Sequence, residues 1–270
     1  MNALCQMTGL NRAGFYRSRM PRLASPVEME IRDEMQKIAL ESAVYGYRRI
    51  TAELQRRGFA INHKRVLRMM REDNLLCVRR RRFVVTTDSR HNLPIYPNLA
   101  GQMTPTSVNQ LWVADITYIR LRTEFVYLAV VLDAFSRRVI GWALGRTLEA
   151  KLAVTALHTA LTERKPQPGL VHHSDRGIQY ASQEYTDMLK QHKARISMSR
   201  KGNPYDNAAC ESFMKTLKYE EVYRNEYRDF QEARANIGEF LERVYNEKRL
   251  HSALGYVPPA EFEQNGGAAQ

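Results

Sequence analysis

The sequence predicts an α/β protein in which a mixed five-stranded sheet, flanked by helices, follows a small all-helical domain. Apolar residues in the first hundred positions recur at spacings of three and four, the period of amphipathic helices. From residue 107 onward, alternating or continuous apolar runs are interspersed with helical patterns in the order βββαβαβα. We therefore expect a helical region over residues 1–85, a linker over 86–106, and an α/β domain with a C-terminal helix over 107–265.

The helical region contains a helix-turn-helix pattern. A helix is predicted over Val27 to Glu41, a second opens near Tyr47 and ends at Gly58, and a third covers His63 to Glu72 behind the capping residue Asn62. The basic residues of the third helix are Lys64, Arg65, Arg68 and Arg71. Two interpretations stay open, a helix that contacts DNA and an ordinary helical hairpin with a solvated face.

Positive charge is concentrated in the same part of the chain. The net charge is +12, and residues 1–100 contain 19 Lys and Arg against 9 Asp and Glu, so most of the excess lies there. Four consecutive arginines, Arg79, Arg80, Arg81 and Arg82, either sit in solvent or lie against phosphates, because they cannot all face a core. A polyanion, with nucleic acid first, is the predicted partner.

Composition and cysteine usage exclude several classes of protein. Cys5, Cys77 and Cys210 form no C-x-x-C pair, and an odd count argues against a disulfide framework, so we expect reduced thiols. No apolar run approaches the roughly 18 residues of a membrane helix, and the first residues lack the layout of a signal peptide. The sequence therefore predicts a soluble intracellular protein without a membrane partner.

The α/β domain is predicted to begin with an antiparallel meander. Its three strands are Leu111 to Leu121, Glu124 to Leu132 and Val139 to Leu144, joined by short connections. The later elements are a helix from Leu148 to Glu163, a strand from Leu170 to His173, a helix from Ser182 to His192, a strand from Ala194 to Met198, and helices from Asn207 and from Phe230. Helices on a mixed sheet form a layered α/β architecture.

Three carboxylates stand at places where the backbone is expected to be rigid. Asp115 lies inside the first strand, Asp175 follows the fourth, and Glu211 lies on a helix. Singly, each has an ordinary interpretation: a surface residue on an edge strand, a helix cap and a solvated helix position. Together they could bind Mg²⁺, which prefers hard oxygen ligands, and a pair of such ions about 3.5–4 Å apart supports phosphodiester transfer.

The helix that carries Glu211 has a polar stripe. Asn207, Glu211, Lys215 and Lys218 recur at i, i+4, i+8 and i+11, on one side of the helix. A salt bridge between Glu211 and Lys215 explains part of this stripe equally well, but it does not explain Lys218. The stripe favours a site that holds both metal and a phosphate backbone.

Several motifs resemble one known family. They are Trp-Val-Ala-Asp-Ile-Thr-Tyr-Ile (112–119), His-Ser-Asp-Arg-Gly-Ile-Gln-Tyr (173–180), Gly-Asn-Pro-Tyr-Asp-Asn-Ala-Ala-Cys-Glu-Ser-Phe (202–213), Tyr-Gly-Tyr-Arg-Arg-Ile (45–50) and the closing segment 245–259. These look like the OrfB-type transposases of bacterial insertion sequences, which share their catalytic core with retroviral integrases. The 35 residues between Asp175 and Glu211 match the family's Asp-Asp-35-Glu spacing. The resemblance covers nearly the whole chain.

The resemblance implies a ribonuclease-H-like core with Asp115, Asp175 and Glu211 as the catalytic, metal-binding triad. It implies Mg²⁺, with Mn²⁺ able to substitute, and no zinc, because the His/Cys spacing of the retroviral zinc module is missing. Lys215 and Lys218 would lie along the DNA end. The candidates to support the site are His173 and Asn207.

The same resemblance implies a reaction and partners. The chain would cut the ends of its element and join the freed 3′ hydroxyl to target DNA, with no covalent enzyme intermediate. Its partners would be double-stranded DNA, other copies of the chain in an oligomer on DNA, and the upstream OrfA protein, either fused by frameshifting or separate. Its location would be the bacterial cytoplasm, in association with the nucleoid.

Two other functions remain open at this stage. A non-catalytic helix-turn-helix regulator would account for residues 1–85 but leaves the three carboxylates and their spacing unexplained. A ribonuclease-H-like nuclease that only hydrolyses would use the same carboxylates and metals. Residue identities barely separate cutting from joining, so an assay for a joined product is needed.

Overall fold

The computed structural model describes residues 26–75, 94–200 and 207–267. The chain divides into two compact units, Met1–Arg80 and Arg81–Gln270. The predicted DNA contacts Arg79 to Arg82, and the predicted helical region before residue 26, lie outside the described residues. None of the helices in the described ranges is long and apolar enough to cross a bilayer.

The N-terminal unit contains the predicted helices. They are α1 (Pro26–Glu41), α2 (Tyr47–Arg56) and α3 (His63–Glu72). The cap predicted for α3 is confirmed, because the Asn62 Oδ1 accepts a hydrogen bond from the Lys64 N–H at 2.8 Å. Gly58, just past α2, has φ of 92°, a left-handed conformation that glycine adopts without strain. The helix-turn-helix pattern is therefore present as α2 and α3.

The second unit is built on the predicted mixed sheet of five strands. The strands are β1 (Leu111–Arg120), β2 (Phe125–Asp133), β3 (Val139–Gly145), β4 (Val171–Ser174) and β5 (Arg195–Met198), in the spatial order β3-β2-β1-β4-β5. The first three pair antiparallel, while β4 pairs parallel with both β1 and β5. This order and these directions are those of the ribonuclease-H-like fold, which confirms the predicted fold class.

Helices cover both faces of the sheet, each over its own apolar core. One face packs on α4 (Ala150–Arg164), α5 (Ile178–Ala181) and α6 (Gln183–Gln191). The other packs on α7 (Ala208–Leu217), α8 (Phe230–Glu239) and the π-helical segment Phe240–Lys248. Because successive strand residues point to opposite faces, Leu111, Val113 and Ile119 of β1 belong to the α7 side. Asp115 has the same parity and therefore faces the α7 side.

The helices around and after the sheet are more numerous and less regular than the apolar pattern of the sequence predicted. A π-helical turn, Lys218–Val222, continues α7, and the predicted last helix is α-helical only to Glu239. The short helix α5 and the C-terminal helix α9 (Pro259–Gln264) complete the unit. α5 has only four residues, too few for an apolar period to show in the sequence.

The segment from residue 94 to 103 packs against the sheet unit, although it lies in the range predicted to be a linker. The Leu99 N–H donates to the Ser197 hydroxyl of β5 at 2.8 Å. Leu99, Ala100 and Met103 pack against the core on the α7 side, and Tyr96 packs on the other side. The contacts are made with residues nearly a hundred positions later, so no local pattern could show them.

Candidate active site

Asp115 and Asp175 lie beside each other because β1 and β4 run parallel. The register pairs Leu111 with Val171 and Val113 with His173. Asp175 follows β4 directly, one residue after its last residue Ser174, so the register brings it toward Asp115. Asp115 faces the α7 side of the sheet, as Val113 does, and the charge of Asp175 acts both on Asp115 and on the buried Cys210 of α7.

The environment of Asp115 disfavours its charge. Burial raises the pKa of the Asp115 carboxyl to about 7, and the negative charges of Asp175 and Glu211 also raise it. A hydrogen bond from the Ile116 N–H at 2.9 Å and the positive charge of Lys218 act in the opposite direction. The charges of Asp175 and Glu211 therefore both act on the Asp115 carboxyl.

Asp175 is held by its own turn. Its Oδ1 accepts a hydrogen bond from the Gly177 N–H at 2.8 Å, which fixes the carboxylate at the end of β4. A Cβ added at Gly177 would meet the Asp175 Oδ1 at 2.9 Å, so a larger side chain there would displace this carboxylate. This turn places a rigid acid where a parallel strand ends, the edge at which α/β sheets usually bind ligands.

Glu211 lies in the first turn of α7 with an exposed side chain. α7 packs on the sheet through Cys210, Phe213, Met214 and Leu217, so Glu211 is on a rigid element. The negative charge of Glu211 contributes to the raised pKa of Asp115. Within the described ranges, no three His, Cys, Asp or Glu side chains lie close enough together to coordinate a metal ion in this conformation. The structure thus brings two acids side by side and places the third nearby on the facing helix.

Lys218 is part of the same environment, at the end of α7. Burial lowers its pKa while the charge of Asp115 raises it, and its ammonium lies 5.0 Å from the centre of the Tyr118 ring. Lys215, one turn earlier, is exposed. The two lysines therefore occupy different positions: Lys218 beside the acids and Lys215 at the surface of the helix.

His173 and Asn207 both form hydrogen bonds to neighbouring elements of the sheet unit. Both ring nitrogens of the buried His173 are bonded to serines of β5 and its end, Ser197 at 2.8 Å and Ser199 at 3.1 Å. The Asn207 Nδ2 donates to the Ala114 carbonyl at 3.2 Å, which ties the start of α7 to β1 beside Asp115. Both residues thus position the elements that carry the site.

The predicted DNA contacts on α3 belong to the N-terminal unit and are not all alike. Lys64 and Arg71 are exposed. Arg65 and Arg68 lie partly buried, with guanidinium nitrogens 3.1 Å and 3.7 Å from the carboxylate of Glu28 on α1. Two of the four basic side chains therefore already have an anionic partner within their own unit.

Sequence reasoning missed Tyr180, which borders the acid pair. Its hydroxyl is buried and has no hydrogen-bond partner among the described residues, and its ring meets that of Tyr185 edge-on at 5.3 Å. Burial raises its pKa well above the usual value, and the charges of Asp115 and Asp175 add to this. Tyr180 stands at the end of the motif around Asp175, so its position in that motif was the available signal.

A second missed group lies on the far end of α7. Arg249 donates two hydrogen bonds to the Glu220 carboxylate, at 2.7 Å and 2.8 Å, and a third, at 3.4 Å, to the Thr216 hydroxyl of α7. His251 packs edge-on against Tyr245, with ring centres 4.8 Å apart. The closing motif of the chain thus supports the helix that carries Glu211. The residues of the closing motif do not by themselves predict that Arg249 pairs with Glu220.

The fold and the acidic pair define an integrase-type core joined to a helix-turn-helix unit. The family model "Integrase core domain" matches residues 105–204, and a second model of that description matches 192–259. The model "HTH-like domain" matches residues 26–83.

Proteins that are similar over nearly the whole chain identify the family within this class. The chain is 38% identical to the "Insertion element IS600 uncharacterized 31 kDa protein" of Shigella sonnei over 97% of each chain. It is 36% identical to the "Transposase InsF for insertion sequence IS3A" of Escherichia coli K12, over 97% of this chain and 93% of that one. It is 39% identical to the "Transposase for insertion sequence element IS904" of Lactococcus lactis, over 88% and 95%. The chain belongs to the IS3 family of insertion-sequence transposases.

Solved structures with a similar chain path come from retroviruses. One is the intasome of simian T-cell lymphotropic virus in complex with the PP2A regulatory subunit B56 gamma, 16% identical with a TM-score of 0.48, covering 84% of this chain and 73% of that one. Another is the HTLV-2 integrase catalytic core domain in complex with magnesium, 16% identical with a TM-score of 0.47, covering 58% and 98%.

Proposed function

We propose that this transposase cuts the ends of its insertion element and joins the freed 3′ hydroxyl to target DNA, with Asp115, Asp175 and Glu211 as its catalytic, metal-binding residues. The observation that carries the proposal is the parallel pairing of β1 with β4. It sets Asp115 beside Asp175 while the charge of Glu211 reaches the same carboxyl. Relatives named as transposases over nearly the full length support the reaction class.

The donor set fits a divalent cation. Three carboxylates offer only hard oxygen atoms, the ligands that Mg²⁺ and Mn²⁺ prefer. Burial and the charges of Asp175 and Glu211 raise the pKa of Asp115, so a cation held between the acids would offset a cost that the fold otherwise bears. When bound, such ions activate the attacking oxygen and neutralise charge on the leaving oxygen. Glu211, on the facing helix, would complete the ligand set opposite the strand pair.

The chain's own residues then have separate roles. Asp175 is fixed by the Gly177 N–H, and Asn207 ties α7 to β1, so the acids are held on rigid backbone. Lys218, beside Asp115, and Lys215, on the surface of α7, would lie along the phosphates of the DNA end. His173 would support the site indirectly, by holding β4 against β5.

The reaction balances without an enzyme-bound intermediate. A water or hydroxyl oxygen attacks the phosphorus at the element end, and the bond to the 3′ oxygen breaks, which frees a 3′ hydroxyl. That hydroxyl attacks a target phosphorus, and one phosphodiester forms as another breaks. No Ser, Tyr or Cys nucleophile is therefore required.

The helical unit and other copies of the chain complete the proposal. Residues 1–85 would bind duplex DNA, a linker would join them to the catalytic core, and Arg79 to Arg82 would lie against phosphates. Two element ends must be joined, so we propose a multimer on DNA. The upstream OrfA protein would act with the chain, as a fusion or separately, in the bacterial cytoplasm near the nucleoid.

The test is strand transfer by the purified chain. Labelled duplex ending in the element's own terminus is incubated with Mg²⁺ or Mn²⁺, and wild type is compared with Glu211→Gln. The matched control is Glu239→Gln, the same change at an exposed position of α8. We expect joined product from wild type and the control, and none from Glu211→Gln.

Other outcomes would separate the alternatives. Cleavage without joining, in wild type alone, would favour a nuclease or a missing partner protein. DNA binding with no chemistry in any variant would favour the helix-turn-helix regulator. A fully active Glu211→Gln would remove Glu211 from the proposed site.

A further inference from the structure

The basic residues of α3 share one broad arc of the helix, but the two edges of this arc have different neighbours. Val66, Met69 and Met70 are buried and mark its inner side. At about 100° per residue, Lys64 and Arg71 lie within about 20° of each other and roughly opposite that inner side. Arg65 lies about 100° from Lys64 and Arg68 about 40°, both turned toward the flank that faces α1.

The arginines of the flank toward α1 lie next to an acid of the unit itself. The Glu28 carboxylate accepts hydrogen bonds from Arg32 at 3.2 Å and Arg65 at 3.1 Å, and a nitrogen of Arg68 lies 3.7 Å away. Glu28 is only 18% exposed, and the bond from Arg32, with help from Arg65 and Arg68, lowers its pKa. The charge of this acid offsets part of the positive charge that Arg65 and Arg68 could present to a phosphate.

The outer side of the unit has a different character. The Tyr47 and His63 rings lie 6.1 Å apart, at the starts of α2 and α3. The Arg48 guanidinium donates to the Tyr47 hydroxyl at 3.1 Å and lies 5.6 Å from the ring centre. Within the ranges that the structure describes, no carboxylate pairs with Arg48, Lys64 or Arg71. We name this surface the outer basic face: Arg48, His63, Lys64 and Arg71.

We propose that the outer basic face is the surface that the helical unit lays on duplex DNA, while Arg65 and Arg68 hold α3 to α1. This inference rests on the proposed function. Lys64 and Arg71 stand about 10 Å apart along the helix, within the width of a major groove. In helix-turn-helix proteins the start of the second helix reaches the base edges and the first helix crosses the backbone. His63 and Lys64 lie at the start of the second helix of the motif, α3, and Arg48 lies on its first helix, α2.

The test compares two double variants that remove the same charge. Lys64→Gln with Arg71→Gln changes the outer basic face, and Arg65→Gln with Arg68→Gln changes the α1 flank. Binding of the full chain to a labelled duplex from the element's own end is measured across a salt series. We expect the outer pair to lower affinity by on the order of tenfold per cation near 0.1 M salt and to reduce the slope of log K against log salt by about two.

The flank pair should behave in the opposite manner. Its affinity should stay within about twofold of wild type and its salt slope should be unchanged, while its melting temperature falls because Glu28 keeps only Arg32 of its three basic neighbours. Arg48→Gln should reduce the salt slope by about one. Wild-type affinity and slope in the outer pair would overturn the inference, and would indicate that this face serves another partner such as an acidic protein.

The same experiment separates this inference from the function on which it rests. Wild type that neither binds duplex DNA nor joins it would contradict the proposed function itself. Wild type that binds and joins, together with an outer pair that does the same at unchanged salt slope, would contradict only the assignment of the surface. If the flank pair unfolds, the outer pair and Arg48→Gln still decide the matter.

Discussion

Asp115 combines a charge-disfavouring environment with a proposed role as a metal ligand. Burial and two neighbouring acids raise its pKa from 3.8 to about 7, while the Ile116 N–H and Lys218 offer only partial compensation. The carboxyl therefore destabilises the metal-free fold whenever it is ionised. A residue with this environment is typical of a functional site, where stability is lower than the fold could otherwise achieve.

The first prediction concerns pH and stability. Between about pH 4 and pH 7 the folded state holds a proton on Asp115 that the unfolded state has lost. Unfolding free energy contributed by this group must therefore fall as pH rises through that window. We expect Asp115→Asn to reduce this dependence, so that the variant gains stability relative to wild type toward pH 7. Urea unfolding of both proteins in the presence of EDTA, from pH 4 to pH 8, measures this pH dependence. Parallel curves of unfolding free energy against pH would contradict a raised pKa for Asp115.

Close packing of β3 on α4 gives a prediction at the scale of elements. A Cβ at Gly141 would meet the Ala156 carbonyl oxygen at 2.2 Å and the Ala160 Cβ at 2.9 Å, so backbone would have to move. We expect Gly141→Ala to lower the unfolding free energy by about 1–3 kcal/mol or more. Chemical denaturation measures the change.

The control for Gly141 lies on the same strand. A Cβ at Gly145 would first meet a terminal methyl of Leu152 at 3.0 Å, and that methyl can shift. Gly145→Ala should therefore cost less than Gly141→Ala. Equal costs for the two substitutions would indicate that β3 and α4 separate easily.

The support of α7 by the closing motif gives a second prediction at this scale. Arg249 and Glu220 form a buried pair, with side chains 6% and 11% exposed. Removing one partner leaves a buried charge, so we expect Arg249→Ala to cost about 3–5 kcal/mol. Replacing both, by Arg249→Met with Glu220→Leu, should cost much less, because no charge is left alone. Urea denaturation of the single and double variants tests this prediction. Equal losses of unfolding free energy in the two variants would contradict the view that the cost comes from leaving Glu220 unpaired.

At the scale of the whole molecule, the two compact units raise the question of where the catalytic unit begins. The sequence predicts residue 107, whereas packing against the sheet starts near residue 94. Residues 94–103 contribute half-buried apolar side chains and hydrogen bonds to Ser197, which also holds His173.

A pair of fragments tests this boundary. We expect a fragment of residues 94–267 to be more stable than one of residues 107–267 by about 2–4 kcal/mol, from the apolar surface of Tyr96, Leu99 and Met103. Thermal and urea unfolding of both fragments measure the difference. Equal stability would mean that the segment rests on the core without supporting it.

Local structure followed from the sequence wherever the signal was itself local. The helix His63–Glu72 and its Asn62 cap are as predicted, because a cap and an apolar period involve only neighbouring residues. The meander of β1 to β3 also follows from alternation and short connections. The match of the Asp175 to Glu211 spacing with that of the transposase family pointed to one site, although it could not place either acid in space.

Tertiary structure decided which residues meet. Met69 of α3 is buried while Leu67 is only half-buried, since the neighbouring helices select which side of an amphipathic helix faces inward. Glu28 pairs with Arg65 across 37 positions, and Arg249 with Glu220 across 29. Asp115 lies beside Asp175 only because β1 and β4 pair in parallel. Such pairings depend on how elements that are distant in the sequence pack against each other, and the local conformational preferences of the residues do not specify that packing.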